Sequence, residues 1–298
     1  ILNCITSVVS LTGSSPTSGV TYQWSGPGGF SATTANTTTT VPGTYTLTVN
    51  NSANGCTSTA TVTVIRDVTP PGAAATASGQ ITCTSATVTL TGSSPTPGVT
   101  FAWAGPGGFS ASTSVITVAL PGNYTLTVTN PVNGCTSTAS VNVIQNVAAP
   151  GATASASGIL TCLTPLGVTL IGSSPTAGVN FRWTGPGGLN STLANTPTAT
   201  PGTYTLTVTN PVNGCISTTT VTVIQDISTP GATASVSGPL TCTTTSVTLT
   251  GASPSTGVSF SWSGPGGFAA TTASTTTTVP GNYVLTVTNP TNGCTSTA

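Results

Sequence analysis

Charged side chains are almost absent from this chain of 298 residues, which has two arginines, two aspartates and no lysine, glutamate or histidine. Proteins that hold DNA, RNA or an anionic membrane by electrostatics use clusters of lysine and arginine. The isolated Arg66 and Arg182 do not form such a cluster. No apolar run is long enough to cross a bilayer. We therefore expect no nucleic-acid partner and no membrane insertion.

The scarcity of charged side chains also argues against catalysis. General acid–base chemistry uses histidine, glutamate, aspartate or lysine beside the substrate. Serine and threonine are plentiful, but no residue is present that would activate them as nucleophiles. Calcium sites need several carboxylate or carbonyl oxygens, and structural zinc sites use histidine or paired CxxC cysteines. The composition predicts a protein that is not an enzyme, with no catalytic residue, cofactor or metal.

The chain contains four copies of a block of about 79 residues. Every copy carries a W-x-GPGG segment, a PG-x-Y segment and an NGC tripeptide. A fixed period of this size is typical of an array of small domains. The predicted domains are 1–68 without a first strand, 69–147, 148–227, and 228–298 without a last strand. Proline followed by small residues between the blocks predicts short extended linkers.

Apolar residues alternate with threonine within each block, as in Tyr124, Leu126 and Val128 of the second copy. This period of two is the signature of a strand with one buried face, and the segments between the runs are rich in glycine, proline and asparagine. No helical period occurs. The pattern predicts about seven strands per block in two packed sheets. The predicted fold is all-β, a tandem array of four immunoglobulin-like (Greek-key) β-sandwich domains.

Two aromatic positions recur in every block. A tryptophan on the third strand is expected to fill the centre of each sandwich. A tyrosine after Pro-Gly-x begins a later strand, like the tyrosine corner of Greek-key sandwiches, whose hydroxyl bonds to a backbone loop. The predicted core residues are Trp24, Trp103, Trp183, Trp262, Tyr45, Tyr124, Tyr204 and Tyr283.

Each block has a front and a back cysteine, and an even set of this kind indicates an oxidising compartment. The two cysteines of a block lie 52 or 53 positions apart, and closing such a loop is worth about 4 kcal/mol. We predict one disulfide within each block. The alternatives are a bond across the linker, such as Cys56 to Cys83, and free buried thiols. The predicted disulfide residues are Cys4, Cys56, Cys83, Cys135, Cys162, Cys215, Cys242 and Cys294.

Together the segments VTLTGSS, WSGPGGF, PGTYTLTV and NGCTSTATVTV resemble the immunoglobulin-like and PKD-like repeats of long surface proteins from gliding, biofilm-forming bacteria. The resemblance covers all four blocks. It implies the stalk of a giant adhesin exported by the type IX route, located outside the cell or on its surface. Modules beyond this sequence would then engage surface glycans or other cells.

Two functional hypotheses follow. The first is a non-catalytic structural array that forms an extracellular stalk or filament of a cell-surface adhesin, with neighbouring repeats or chains as its partner. The second is a carbohydrate-binding or other ligand-binding array on the cell surface. Sugar sites favour exposed aromatic platforms, whereas the aromatic residues here fall on core-facing positions. The pattern therefore favours the structural array.

The chain is about 19 residues short of four full periods, the length of the segment 61–79. We expect it to be a segment of a longer array. The alternative is an assembly of separate subunits in which one chain supplies a strand to the next, because an unpaired sheet edge invites such an addition.

Overall fold

A computed structural model describes every residue from Ile1 to Ala298. The chain is built from β-strands and turns, and its only helices are four single 3₁₀ turns, none of which could span a membrane. It divides into two compact units, Ile1–Val147 and Ala148–Ala298. Each unit contains two of the sequence repeats, and the division falls where the sequence places the end of the second repeat.

The first unit contains fifteen strands. Those of repeat 1 are β1 (Val9–Thr12), β2 (Val20–Gly26), β3 (Phe30–Ala32), β4 (Asn36–Thr39), β5 (Gly43–Asn51) and β6 (Thr57–Val64). Those of repeat 2 are β7 (Ala74–Ala77), β8 (Ile81–Thr82), β9 (Val88–Ser93), β10 (Thr100–Gly105), β11 (Phe109–Ala111), β12 (Val115–Val118), β13 (Gly122–Thr129), β14 (Thr136–Val143) and β15 (Gln145–Asn146).

The second unit repeats this plan. Repeat 3 has β16 (Thr153–Ala156), β17 (Leu160–Thr161), β18 (Val168–Ser173), β19 (Asn180–Gly185), β20 (Leu189–Ser191), β21 (Asn195–Thr198), β22 (Gly202–Thr209), β23 (Ile216–Val223) and β24 (Gln225–Asp226). Repeat 4 has β25 (Thr233–Val236), β26 (Val247–Ala252), β27 (Ser259–Gly264), β28 (Phe268–Ala270), β29 (Ser274–Thr277), β30 (Val284–Thr288) and β31 (Thr295–Thr297).

Repeat 2 shows the complete sandwich. A three-stranded sheet, β7-β9-β12, faces a four-stranded sheet, β11-β10-β13-β14, and the ladders of both are antiparallel. The short strand β8 leaves the first sheet and pairs in parallel with β15 at the edge of the second. A chain that crosses between two sheets in this order is an immunoglobulin-like sandwich. The predicted fold class is confirmed, with four repeats that each have their own hydrophobic core.

The tryptophan of each repeat lies at the centre of its core, at most 3% exposed. In three repeats its indole nitrogen donates a hydrogen bond to a backbone carbonyl, that of Ala35, Ala194 or Thr272, at 3.0–3.2 Å. A buried indole N–H needs such a partner, because an unpaired donor costs free energy. In these three repeats the ring is therefore held in one orientation between the two sheets, whereas the Trp103 indole nitrogen has no hydrogen-bond partner.

The predicted core tyrosines form a corner with the GPGG turn. Each tyrosine hydroxyl donates to the carbonyl four residues earlier, at 2.6–2.9 Å. The ring lies against the first glycine of GPGG, where an added Cβ would come within 2.3–2.4 Å of the ring carbon Cδ1. In three repeats the phenylalanine after the turn packs edge-on against the same ring. The glycine is therefore required by this close approach, and the apolar residue after the turn contacts its own repeat.

The outer repeats are less enclosed than the inner ones. In repeat 1, β1 pairs only with β4, whereas its counterpart β9 has a neighbour on both sides. In repeats 1–3 a valine near the end of the last long strand is buried (Val64, Val143 and Val223). Repeat 4 has a cavity of about 390 Å³ whose lining includes Trp262 and Tyr283. Tyr283 is accordingly half-buried, whereas the other three corner tyrosines are at most 1% exposed.

The tyrosine corner gives a first prediction. The Tyr204 hydroxyl lies 2.6 Å from both the Thr200 carbonyl and the Thr198 hydroxyl. The change Tyr204→Phe leaves these two groups without that partner, so it should lower the free energy of unfolding by about 1–3 kcal/mol. Urea unfolding followed by tryptophan fluorescence measures the change.

The matched control is Tyr22→Phe, at a half-buried ring on β2 outside the corner. This variant should stay within about 0.5 kcal/mol of the unchanged chain. Equal losses in the two variants would show that the corner hydrogen bonds do not stabilise the sandwich.

Candidate functional site

The disulfides join neighbouring repeats. Cys4 of repeat 1 bonds to Cys135 of repeat 2, and Cys162 of repeat 3 bonds to Cys294 of repeat 4. These bonds connect residues 131 and 132 positions apart, and in both the Cα atoms are 5.1 Å apart. Cys83 and Cys215 are also disulfide-bonded, whereas Cys56 and Cys242 are free and exposed.

The predicted pairing within each block is therefore wrong, and repeat 2 shows the physical reason. Cys83 follows β8, which pairs with β15 beyond the end of β14, whereas Cys135 precedes the start of β14. The two cysteines thus lie at opposite ends of one long strand, roughly 30 Å apart. A disulfide needs Cα atoms within about 7 Å, so no bond can form inside the repeat.

The alternative pairings are also wrong. A bond from Cys56 to Cys83 would join the far ends of two successive sandwiches, and the structure leaves Cys56 free. The expectation that all eight cysteines are bonded fails at Cys56 and Cys242. These two are exposed thiols, so they do not fit the alternative of buried free cysteines either.

The back cysteine of each repeat lies in a preformed loop with the sequence N-x-x-N-G-C, between the two long strands of the larger sheet. In repeat 2 the Asn130 side chain accepts from the Val132 amide at 3.0 Å, and the Gly134 amide donates to the Asn130 carbonyl at 2.8 Å. Gly134 has φ +70°, a conformation that strains other residues. The two asparagines and the glycine therefore fix where Cys135 points.

The second asparagine of this loop holds the neighbouring repeat. The Asn133 side-chain oxygen accepts from the Cys135 amide at 3.0 Å, which turns its NH₂ group outward. That group donates to the Asp67 carboxylate at 3.1 Å and to the Thr69 carbonyl at 3.0 Å, both in the linker after repeat 1. The Cys4 amide in turn donates to the Asn133 carbonyl at 3.0 Å. Asn133, 2% exposed, thus connects the loop to both sides of the junction.

The same arrangement recurs in the second unit. Asn292 accepts from the Cys294 amide at 3.0 Å, and its NH₂ group donates to the Asp226 carboxylate and the Ser228 carbonyl, each at 3.0 Å. Asn213 likewise donates to the Ala148 carbonyl at 2.9 Å. The junction is therefore a repeated element of the array.

The glycine of the loop makes room for the neighbouring repeat. A Cβ on Gly134 would lie 2.0 Å from the Ile5 side chain, and one on Gly293 would lie 2.3 Å from Leu163. Ile5 and Leu163 each follow the bonded front cysteine. Glycine is thus needed both for the positive φ and for the close approach of an apolar side chain.

The junctions use both aspartates of the chain. A hydrogen bond from the Thr69 backbone, followed by that from the Asn133 side chain, lowers the pKa of Asp67 below its ordinary 3.8. The Ser228 backbone and the Asn292 side chain lower the pKa of Asp226 in the same way. Both carboxylates are charged at neutral pH and accept neutral N–H groups, which favours the ionised form. No sequence pattern predicted this role for the aspartates or for the asparagines.

Chemically, the site forms covalent crosslinks between repeats. No group of three or more histidine, cysteine, aspartate or glutamate side chains is close enough to hold a metal ion. The sequence feature that pointed to the junction was the NGC tripeptide, which occurs in all four repeats directly before a strand. Its spacing from the front cysteine gave no indication of the partner.

No family model and no curated protein matches the chain. Several solved structures with domains in tandem are similar to it at low identity. The titin domains I67–I69 (an E-to-A variant) are 14% identical, covering 76% of this chain and 94% of that one, with TM-score 0.33. The three N-terminal domains of the bacteriophage RB49 outer capsid protein Hoc are 14% identical over 74% and 94%, with TM-score 0.31. The mouse nectin-like molecule 4 ectodomain is 14% identical over 73% and 94%, with TM-score 0.29.

The crosslinks between repeats predict the outcome of digestion with trypsin. The chain is alkylated at its free thiols, denatured without reductant and cut at its two arginines, Arg66 and Arg182. Because Cys4 bonds to Cys135, the peptide 1–66 should stay attached to the peptide 67–182 until a reductant is added. Mass spectrometry before and after reduction measures the linkage.

The variant Cys135→Ser should release the peptide 1–66 without reduction, and Cys56→Ser should leave it attached. Release of this peptide from the unchanged chain would show that Cys4 is not bonded to Cys135, and would contradict the junction.

The aspartates predict a small acid sensitivity. Their folded pKa values lie below 3.8, so their contribution to stability is complete above that pH and is lost as the pH falls through the folded values. Because neither aspartate is fully buried, the thermal midpoint should fall by no more than about 4 °C between pH 6 and pH 2. Differential scanning calorimetry measures it.

The double variant Asp67→Asn, Asp226→Asn should show a flatter profile over this range. Asparagine already occupies the matching position, Asn146, in the second linker. A double variant as acid-sensitive as the unchanged chain would show that other groups, such as the terminal carboxylate, cause the effect.

Proposed function

We propose that this chain is a non-catalytic structural array that forms the extracellular stalk of a cell-surface adhesin, and that its disulfide junctions prevent the stalk from lengthening under load. The observation that carries the proposal is the pairing of the front cysteine of one repeat with the back cysteine of the next. A stalk must hold its length when its ends are pulled, and this pairing does so directly.

The covalent path between the chain ends is short. It runs through Ile1–Cys4, crosses to Cys135, follows the backbone to Cys162, and crosses again to Cys294. Fully extended, these segments span only about 130 Å, against about 1,000 Å for the whole backbone. The residues between each bonded pair are bypassed, so the unfolding of a repeat inside such a loop does not lengthen the path.

The exposed strand faces also suit a stalk. Facing threonines cover them, for example Thr203 and Thr222, whose hydroxyls lie 3.1 Å apart on β22 and β23. Such a surface carries almost no charge, so changes of salt concentration have little to act on. Disulfides persist in oxidising compartments, which supports a place outside the cell or on its surface.

The proposal keeps the adhesive function outside these repeats. The resemblance to the repeats of gliding, biofilm-forming bacteria supports a type IX-exported adhesin whose other modules engage surface glycans or other cells. A carbohydrate-binding array lacks a supporting observation, because every tryptophan is buried and three phenylalanines pack against corner tyrosines.

Single-molecule force spectroscopy tests the stalk. The oxidised chain, pulled from its two ends, should show almost no gain in contour length when repeats unfold. Under reductant, the residues between Cys4 and Cys135 and those between Cys162 and Cys294 should each release about 450 Å.

The variant Cys56→Ser, which changes only a free thiol, should behave like the unchanged chain. Contour-length gains as large in the oxidised chain as in the reduced chain would contradict a load-bearing role for the junctions.

A further inference from the structure

The loop that carries the back cysteine contains an Asn-Gly pair in every repeat. Asparagine is a thermolabile residue, because a backbone amide nitrogen can attack its side-chain carbon and displace ammonia. The attacking nitrogen belongs to the residue that follows, and glycine favours the attack since it has no side chain beside that nitrogen. Asn133 and Asn292, which bind the neighbouring linkers, are both followed by glycine. The residue that specifies the junction is therefore also chemically labile.

The closed junction restrains the groups that this reaction needs. The Asn133 NH₂ group, which would leave, donates to the Asp67 carboxylate at 3.1 Å and to the Thr69 carbonyl at 3.0 Å. The attacking nitrogen, that of Gly134, donates to the Asn130 carbonyl at 2.8 Å. Asn133 is also only 2% exposed. Because its contacts with the linker must break before the side chain can react, the reaction requires the junction to open.

The junction of the second unit restrains its asparagine in the same way. Asn292 is 1% exposed, and its NH₂ group donates to the Asp226 carboxylate at 3.0 Å. The Gly293 amide donates to the Asn289 carbonyl at 2.8 Å. A Cβ on Gly293 would lie 2.3 Å from the Leu163 side chain, so the neighbouring repeat also occupies the space beside the glycine.

Conversion of Asn133 to aspartate would reverse the chemistry of this contact. The amide donates through its NH₂ group, whereas an ionised carboxylate only accepts. It would therefore face two other acceptors, the Asp67 carboxylate and the Thr69 carbonyl, without a hydrogen to share. Asp67 is itself ionised at neutral pH, so two like charges would meet. The change removes two hydrogen bonds and adds a repulsion, and both effects favour an open junction.

We propose that Asn133 and Asn292 are deamidation sites that the closed junction protects, and that their conversion to aspartate after a junction opens keeps it from closing again. The glycine nitrogen bonds to the side-chain carbon, and its proton passes through water to the side-chain nitrogen, which leaves as ammonia. Water then opens the cyclic imide to a carboxylate and an amide. The inference rests on the junction rather than on the proposed stalk, and it makes the loss of a crosslink irreversible.

Peptide mapping by mass spectrometry measures deamidation over time at mildly alkaline pH. The double variant Cys4→Ser, Cys135→Ser lacks the disulfide of the first unit and keeps that of the second. Asn133 should deamidate at least about tenfold faster in this variant than in the unchanged chain, because the reaction proceeds only from the open state. Asn292, beside an intact disulfide, should react equally slowly in both chains and is the internal control.

Each rate is divided by that of the same asparagine in the same chain after reduction and denaturation in urea, which corrects for the neighbouring serine. Equal corrected rates at Asn133 in the two chains would overturn the protection by the junction. A rate in the oxidised, folded chain as fast as that in urea would overturn it as well.

A second measurement tests whether the product blocks closure. The variant Asn133→Asp carries the carboxylate from the start. Reduced chains are oxidised in a glutathione buffer, and attachment of the tryptic peptide 1–66 to the peptide 67–182 is followed over time. Closure should be at least about tenfold slower in this variant than in the unchanged chain, because like charges face each other. Adding Asp67→Asn should restore most of the rate, since the carboxylate then faces an NH₂ group again.

Closure of the Asn133→Asp chain at the unchanged rate would overturn the proposal. Failure of Asp67→Asn to restore the rate would overturn its electrostatic cause, and a general folding defect would not be repaired by this second change. The force measurement on oxidised chains does not involve deamidation, so failure of either test leaves the stalk proposal standing.

Discussion

The separation of the two cysteines of a repeat at opposite ends of one strand is the constraint on which the rest of the structure depends. It makes a crosslink inside a repeat impossible, and Cys4 and Cys162 each bond instead to a cysteine of the next repeat. Domains of about 80 residues have thin cores and gain much from added crosslinks. Here the crosslinks lie between domains, so the same bonds stabilise the repeats and connect them to their neighbours.

The junction is more than a covalent bond, because the asparagine of the loop selects how the neighbour sits. Asn133 satisfies the amide of its own cysteine with one end and binds the preceding linker with the other. Hydrogen bonds of this kind contribute little individually, but they specify geometry. They also account for the positions of the two aspartates, which both lie beside the bonded loops.

The sandwich fold could be predicted from the sequence, whereas the pairing of its disulfides could not. Alternation around Tyr124, Leu126 and Val128 predicts a strand because side-chain direction along a strand is a local property. Tyrosine after Pro-Gly-x likewise has its partner carbonyl only four residues away. The bond of Cys4 depends on which end of the sandwich each loop occupies, and that is set by the parallel pairing of a two-residue strand with no strong pattern. Sequence spacing favoured the shorter loop, and the geometry forbids it.

The positions of the bonded cysteines along the chain also determine when each disulfide can form during synthesis. Cys4 meets its partner only after 131 further residues, which include most of the second repeat, have been added. In a chain synthesised from its N-terminus, Cys4 must therefore stay reduced while its own repeat folds, and Cys56 is the next cysteine along the chain with which it could form an incorrect bond. Folding of repeat 1 before oxidation removes that danger, because it carries the two sulfurs apart. Folding of a repeat thus prevents a bond between its own two cysteines, and the correct disulfide forms only when the next repeat is present.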